Sequence, residues 1–146
     1  MDLVAVENDL VARLITDITP PIEIRSYPDD FNTYIGQLTN DGGAILVVYQ
    51  GSVYEEPEAN RSKKLVQNRT ANWQFTIIQK DLSIDKQHHG VYTILEEIRV
   101  SLSGYTITGL DDISVLAPVG DGFLFESHNF WVYQTTFSHT IEEAES

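Results

Sequence analysis

The sequence predicts an α+β domain, an antiparallel or mixed β-sheet with two amphipathic helices packed on one of its faces. Two well-separated stretches repeat apolar residues at spacings of three and four. Around them lie runs that alternate with a period of two and are joined by hairpin-length connections. The chain of 146 residues is 42% hydrophobic and 10% aromatic, enough to bury one sizeable core and suited to one domain rather than two.

The first helix runs from about Asp2 to Asp17, where Leu3, Val6, Leu10, Leu14 and Ile18 form the apolar stripe between Glu7, Asp9 and Arg13. Thr19-Pro20-Pro21 stops it, because proline lacks an amide donor and pushes the preceding residue out of helical geometry. A short strand is expected at Ile22 to Ser26, followed by a turn at Tyr27-Pro28-Asp29-Asp30. Asp30 to Leu38 is ambiguous; Phe31, Tyr34, Ile35 and Leu38 fit a short helix capped by Asp29 or Asp30. Asn40-Asp41-Gly42-Gly43 reads as a loop.

Ala44 to Tyr54 reads as a strand buried on both sides at its start, with a bulge at Gly51. Glu55 to Asn68 is the most polar stretch and reads as an exposed loop or a long hairpin tip. Thr70 to Leu82 alternates most cleanly, with Trp73, Phe75 and Ile77 on one side. A second helix is expected over Gly90 to Leu102, with Gly104 closing it. Ile113 to Val119 and Phe123 to Glu126 read as strands around a tight reversal at Gly120-Asp121-Gly122, and Asn129 to Thr140 as an aromatic strand. One domain thus spans residues 1–141, and the acidic end, residues 142–146, is expected to fray. The expected core is Trp73, Phe75, Ile77, Leu95, Ile98, Trp131 and Phe137.

Nine Lys and Arg against twenty-two Asp and Glu give a formal charge of −13, a field that repels phosphate backbones and anionic lipid surfaces. The absence of cysteine excludes disulfides, thiolate zinc sites and thiol catalysis; with no basic leader and no membrane-length apolar run, the cytoplasm is the expected place of synthesis. Four histidines invite a metal reading, but His88 and His89 are adjacent and point apart, and His128 and His139 lie apart in the C-terminal segment. The acidic pairs at Asp29, Glu55, Glu96 and Asp111 fall in expected loops or on a solvated helix face, and no phosphate-binding or nucleophile-elbow motif is present. The sequence therefore names no catalytic residue, no metal ligand and no cofactor, and an enzyme is not expected.

One local feature has a functional flavour. Acidic Glu55, Glu56 and Glu58 precede basic Arg61, Lys63, Lys64 and Arg69, so four of the nine basic residues stand together. A solvated hairpin explains this blandly. The sharper reading is a docking element, in which the acidic part of one subunit faces the basic part of the next or of a tube.

The runs NWQFTIIQKDL (Asn72 to Leu82), GVYTILEEIRVSLSGY (Gly90 to Tyr105) and FLFESHNFWVYQTTFSHTI (Phe123 to Ile141) resemble the Mu-like prophage tail proteins, grouped with the tail-terminator, or tail-completion, proteins of long-tailed phages. The most specific piece is the F-W-V-Y-Q-x-x-F run at Phe130 to Phe137. The resemblance implies a structural virion protein that forms a ring, most simply a homohexamer, at the head-proximal end of a tail. There it would stop tube growth and present the surface on which a neck or head-completion protein docks. The implied partners are further copies of itself, the tube protein, a sheath where the tail has one, and DNA only as it passes through the lumen; no membrane is involved. Another neck connector or a tail-tube-type ring protein is the alternative.

Overall fold

The computed structural model describes residues 2–18, 22–38, 43–55, 58–59, 65–80, 89–107, 114–127 and 130–144. In these the elements run α1 (Leu3–Asp17), β1 (Glu23–Ser26), α2 (Phe31–Gln37), β2 (Ala44–Tyr54), β3 (Glu58–Ala59), β4 (Leu65–Lys80), α3 (His89–Leu102), β5 (Ala117–Ser127) and β6 (Phe130–Ala144). The strand order is β1-β2-β4-β6-β5, with β3 paired to β4 off this path. Only β1 is parallel to its neighbour β2, so the sheet is mixed and the class is α+β.

Helix α1 starts at Asp2, whose side chain accepts from the Ala5 amide at 3.1 Å, and its stripe buries Val6, Leu10 and Leu14. Helix α3 buries Val91, Ile94, Ile98 and Leu102, and Gly104 follows it at φ +77°, the left-handed conformation that glycine adopts without strain. Both stripes meet Ile45, Val47, Trp73, Phe75, Ile77, Tyr133 and Phe137 in one cluster, which lies on a single face of β2, β4 and β6.

The opposite face is covered too. Ala44, Leu46, Ile78, Phe130 and Val132 pack beneath Ile35 of α2, with Phe31, Tyr34 and Leu38 at the margin. The expectation of two helices on one face is therefore incomplete. Helix α2 is a third helix, capped by Asp30 through the Thr33 amide at 3.1 Å, and at seven residues with one buried side chain it is too short to display a helical period. Of the expected core, Trp73, Phe75, Ile77, Ile98 and Phe137 are fully buried, while Leu95 and Trp131 are only partly so. The start of β6 is instead most buried on the α2 side, at Phe130 and Val132.

The bulge of β2 stands where expected, between Tyr49 and Gly51, with Gly51 at φ +141°. Two assignments need correction. Gly120-Asp121-Gly122 is no reversal: β5 runs through it and pairs with Gln134 to Thr136 of β6, and the antiparallel pairing continues to Ser127 opposite Phe130. Local turn preference yields here to pairing along the whole length of the neighbouring strand. The acidic end does not fray at residue 142 either, since Glu142, Glu143 and Ala144 pair with Asn68, Gln67 and Val66 of β4. The helix stop at residues 19–21 lies outside the described residues.

Burial on both faces has a measurable consequence. Leu46→Ala, on the α2 side, should cost about 2 to 5 kcal/mol in denaturant unfolding, as much as truncating Ile77 on the α1/α3 side. A loss below roughly 0.5 kcal/mol, the scale of an ordinary surface substitution, would mean that α2 does not seal that face.

Candidate functional site

The charged segment named from the sequence is dispersed. Glu55 closes β2, where its amide donates to the Asn68 carbonyl at 2.9 Å and its carboxylate accepts from Asn68 Nδ2 at 3.1 Å. Glu58 falls in β3, opposite Val66. Glu56, Arg61, Lys63 and Lys64 lie outside the described residues. Leu65 to Asn68, expected in the exposed loop, instead begin β4, and Arg69 stands in the same strand, opposite Tyr54 on one side and Ile141 on the other. Its Nε donates to Ser52 Oγ at 2.9 Å, its Nη2 donates to the Tyr49 hydroxyl at 3.1 Å, and its guanidinium lies 5.4 Å from the Tyr54 ring centre. The Tyr49 hydroxyl also meets Ser52 Oγ. Arg69 thus stitches β2 to β4. The polar run seemed loop-like because no apolar alternation marks a strand whose partners lie on both sides.

His139 is the buried histidine of β6. Its Nε2 accepts from Trp73 Nε1 at 3.1 Å, and its Nδ1 lies 3.0 Å from Ser114 Oγ. Indole N–H can only donate, so Nε2 is the acceptor and the neutral ring carries its proton on Nδ1, donating to Ser114. The Ser114 hydroxyl in turn donates to the Thr140 carbonyl at 3.2 Å. Burial, and then the nearby Arg69 cation, push the His139 pKa down to about 4. A serine beside a histidine suggests a nucleophile and its base, but both are buried and every polar atom is directed inward, which makes this a structural relay. Among the described residues no group of three or more His, Asp or Glu could hold a metal ion.

Between α1 and α3 runs an open groove of about 860 Å³, lined among others by Arg13, Asp17, Tyr92, Glu96, Val100 and Ser101. Most of its charges have partners, within the groove or, for Glu96, beside it on α3. Arg13 Nε lies 3.1 Å from Asp17, Ser101 Oγ donates to the same carboxylate at 2.6 Å, and Arg99 pairs with Glu96 at 3.0 Å. This chemistry braces two helices rather than converging on a substrate.

The surface that stands out is the outer edge of β5. Among the described residues β5 pairs only with β6, and it exposes Val119 (61%), Phe123 (50%), Leu124 (37%) and Phe125 (41%). Val119 and Leu124 fall in the two register shifts against β6, where a bulge re-aims a side chain along the edge. Rings continue the patch around both faces. Phe123 meets Trp131 and Tyr133, with centroids 5.4 and 5.3 Å away, and Tyr92 of α3 stands edge-on to Tyr133; Phe125 meets Phe31, which stacks on Tyr27 at 5.6 Å. An apolar band on an open sheet edge is a mark of an interaction surface. The sequence reading missed it because it placed a turn at Gly120-Asp121-Gly122; the run FLF at Phe123 to Phe125, apolar at every position with no alternation, was the available signal.

The His139 relay sets a pH dependence. Its folded pKa of about 4 lies below the ordinary 6.5, so on acidification through this window the unfolded chain takes up a proton that the folded chain refuses. This group's contribution is fully present above pH 6.5 and falls as pH drops toward 4, by at most roughly 1.4 kcal/mol per pH unit. His139→Gln should be less stable at neutral pH but show a flatter stability profile across the window. Parallel profiles for the two proteins in urea unfolding would contradict this assignment.

Residues 10–146 match the family model described as Gp37 protein. A chain from the virion of a native gene transfer agent (GTA) particle is similar in structure, with a TM-score of 0.52 over 92% of this chain and 84% of that one, at 9% sequence identity, a likeness of fold. Comparison with curated proteins gives no match. With the family model covering nearly the whole sheet and α3, the chain belongs to the Gp37 protein family.

Proposed function

We propose that this protein is a non-enzymatic structural component of a phage-type virion, and within it the ring at the head-proximal end of the tail, which stops tube growth and presents the docking surface for a neck or head-completion protein. The observation that carries the reading is an apolar sheet edge that no strand pairs among the described residues, in a chain of charge −13, on a fold similar to that of a GTA virion chain. A growing tube ends in unfilled subunit interfaces, and a ring that fills them while turning a different surface upward prevents further addition. Head-to-tail contacts close such a ring; six copies are the number proposed. The acidic charge suits a lumen through which DNA passes, because like charge does not hold the phosphate backbone.

In this reading the segment from Glu55 to Arg69 docks on the neighbouring subunit or the tube. Glu55, Glu56 and Glu58 supply its acidic part and Arg61, Lys63 and Lys64 its basic part, while Arg69 holds the base of the hairpin in register. Exposed charge pairs contribute only about 0.2 to 1 kcal/mol each, so this segment sets orientation and association rate rather than holding the ring together.

Reversing Arg61, Lys63 and Lys64 to Glu should leave the protein folded, with an unchanged melting transition, and should yield overlong tails or tails that fail to join heads in electron micrographs of assembled particles. Normal tails joined to heads would remove the docking role. Particles in which this protein is found along the whole tube, or only above it, would favour a tube or a neck connector instead.

A further inference from the structure

We infer that the groove between α1 and α3 of one copy receives the basic segment Arg61 to Lys64 of the next copy. The inference rests on the ring reading, in which the segment from Glu55 to Arg69 docks on a neighbour, and it names the surface that receives it.

The groove combines apolar surface with an excess of carboxylate. Arg13 is the single basic residue lining it, against Asp17, Glu96 and Glu97. Arg13 is bonded to Asp17, and Glu96 is answered by Arg99 of the same helix, while Glu97 makes no ion pair among the described residues. Beside these acids stand Val100, 77% exposed, and Tyr92, 51% exposed. Such a surface suits a lysine or arginine, whose methylene stem lies on apolar atoms while its head reaches the acid. Tyrosine is already the companion of arginine in this chain: the guanidinium groups of Arg13 and Arg25 lie 4.7 and 5.1 Å from the ring centres of Tyr105 and Tyr34.

The chain itself supplies the occupant. Of its nine basic residues, Arg13, Arg25 and Arg99 pair with carboxylates, and Arg69 is held by Tyr49 and Ser52. Three of the other five, Arg61, Lys63 and Lys64, fall within four positions, whereas Lys80 and Lys86 stand singly, each next to an aspartate. The basic segment is anchored where Ala59 pairs with Leu65. Leu65 lies eight residues before Trp73, the first β4 residue in the cluster under α1 and α3, a span of about 26 Å along a strand. The anchor is thus remote from the helices that form the groove of its own copy, and a neighbouring copy is the one placed to receive the segment. Repeated from copy to copy, groove against segment is a head-to-tail contact of the kind that closes a ring. Copies that each carry −13 repel one another at long range, so a contact that sets cations against the acidic groove is favourable where most others are not.

The chain has no cysteine, so a single introduced thiol can be labelled cleanly. Val100→Cys in the groove and Val119→Cys on β5, 61% exposed, would each carry a benzophenone and be irradiated in the full chain at millimolar concentration, in a mixture of isotope-labelled and unlabelled copies. The label at position 100 should link to the segment around Arg61 to Lys64 in a copy of the other isotope, and the label at position 119 should not. Glu97→Lys and Lys63→Glu should each weaken association roughly three- to tenfold in sedimentation while the melting transition stays put. The two together, which keep the charge at −13, should restore it. Glu97→Lys also makes the chain less acidic, so a mere easing of repulsion would act in the opposite direction. Links confined within single copies, or a chain that stays monomeric, overturn the contact between copies. Association weakened by Lys63→Glu but untouched by Glu97→Lys, with no link at position 100, overturns the groove and leaves the docking segment and the ring standing. Links from groove to segment in both directions within a closed two-fold dimer keep the groove and overturn the ring, and association untouched by either variant overturns groove and docking segment alike.

Discussion

Burial of β4 on both faces and pairing along both of its edges is the constraint on which the rest of the fold depends. Trp73, Phe75 and Ile77 point to the α1/α3 side and Ile78 to the α2 side, while β2 and β6 take up its backbone groups over most of its length. A strand so placed tolerates neither a register slip nor an unpaired polar group. The three helices exist to cover what β4 and its neighbours cannot cover for themselves.

The polar groups that enter this core obey the same demand. Trp73 needs an acceptor, His139 supplies it, and Ser114 passes the chain of hydrogen bonds on to a backbone carbonyl, so four groups are satisfied by one relay. Arg69 does similar service nearer the surface, where it joins the Tyr49 and Ser52 side chains across the β2 bulge.

The large negative charge is spread over both the helices and the β5 edge. On the helical side two acidic residues pair with arginine, Asp17 with Arg13 and Glu96 with Arg99. The β5 edge exposes Val119, Phe123, Leu124 and Phe125 alongside the acidic Asp121 and Glu126. A ring-building reading needs both properties in one chain: resistance to random association and one place where association is favourable.

Helix periods, the cap at Asp30, the glycine after α3, the bulge of β2 and the alternation from Trp73 to Ile77 were legible in the sequence, because each arises from neighbours within a few residues and from backbone geometry those neighbours impose. The candidate site was not. Whether Gly120-Asp121-Gly122 turns or runs straight depends on β6, whether Glu142 to Ala144 frays depends on β4, and whether Arg69 is loop or strand depends on two partners distant in sequence. The sequence by itself determined where α1 and α3 and the central parts of β2, β4 and β6 lie, and that the chain is acidic with a large core. Only the tertiary structure decided which strand is left at the edge, because exposure of an edge is a property of strand order, and strand order is set by long-range pairing that no local pattern records.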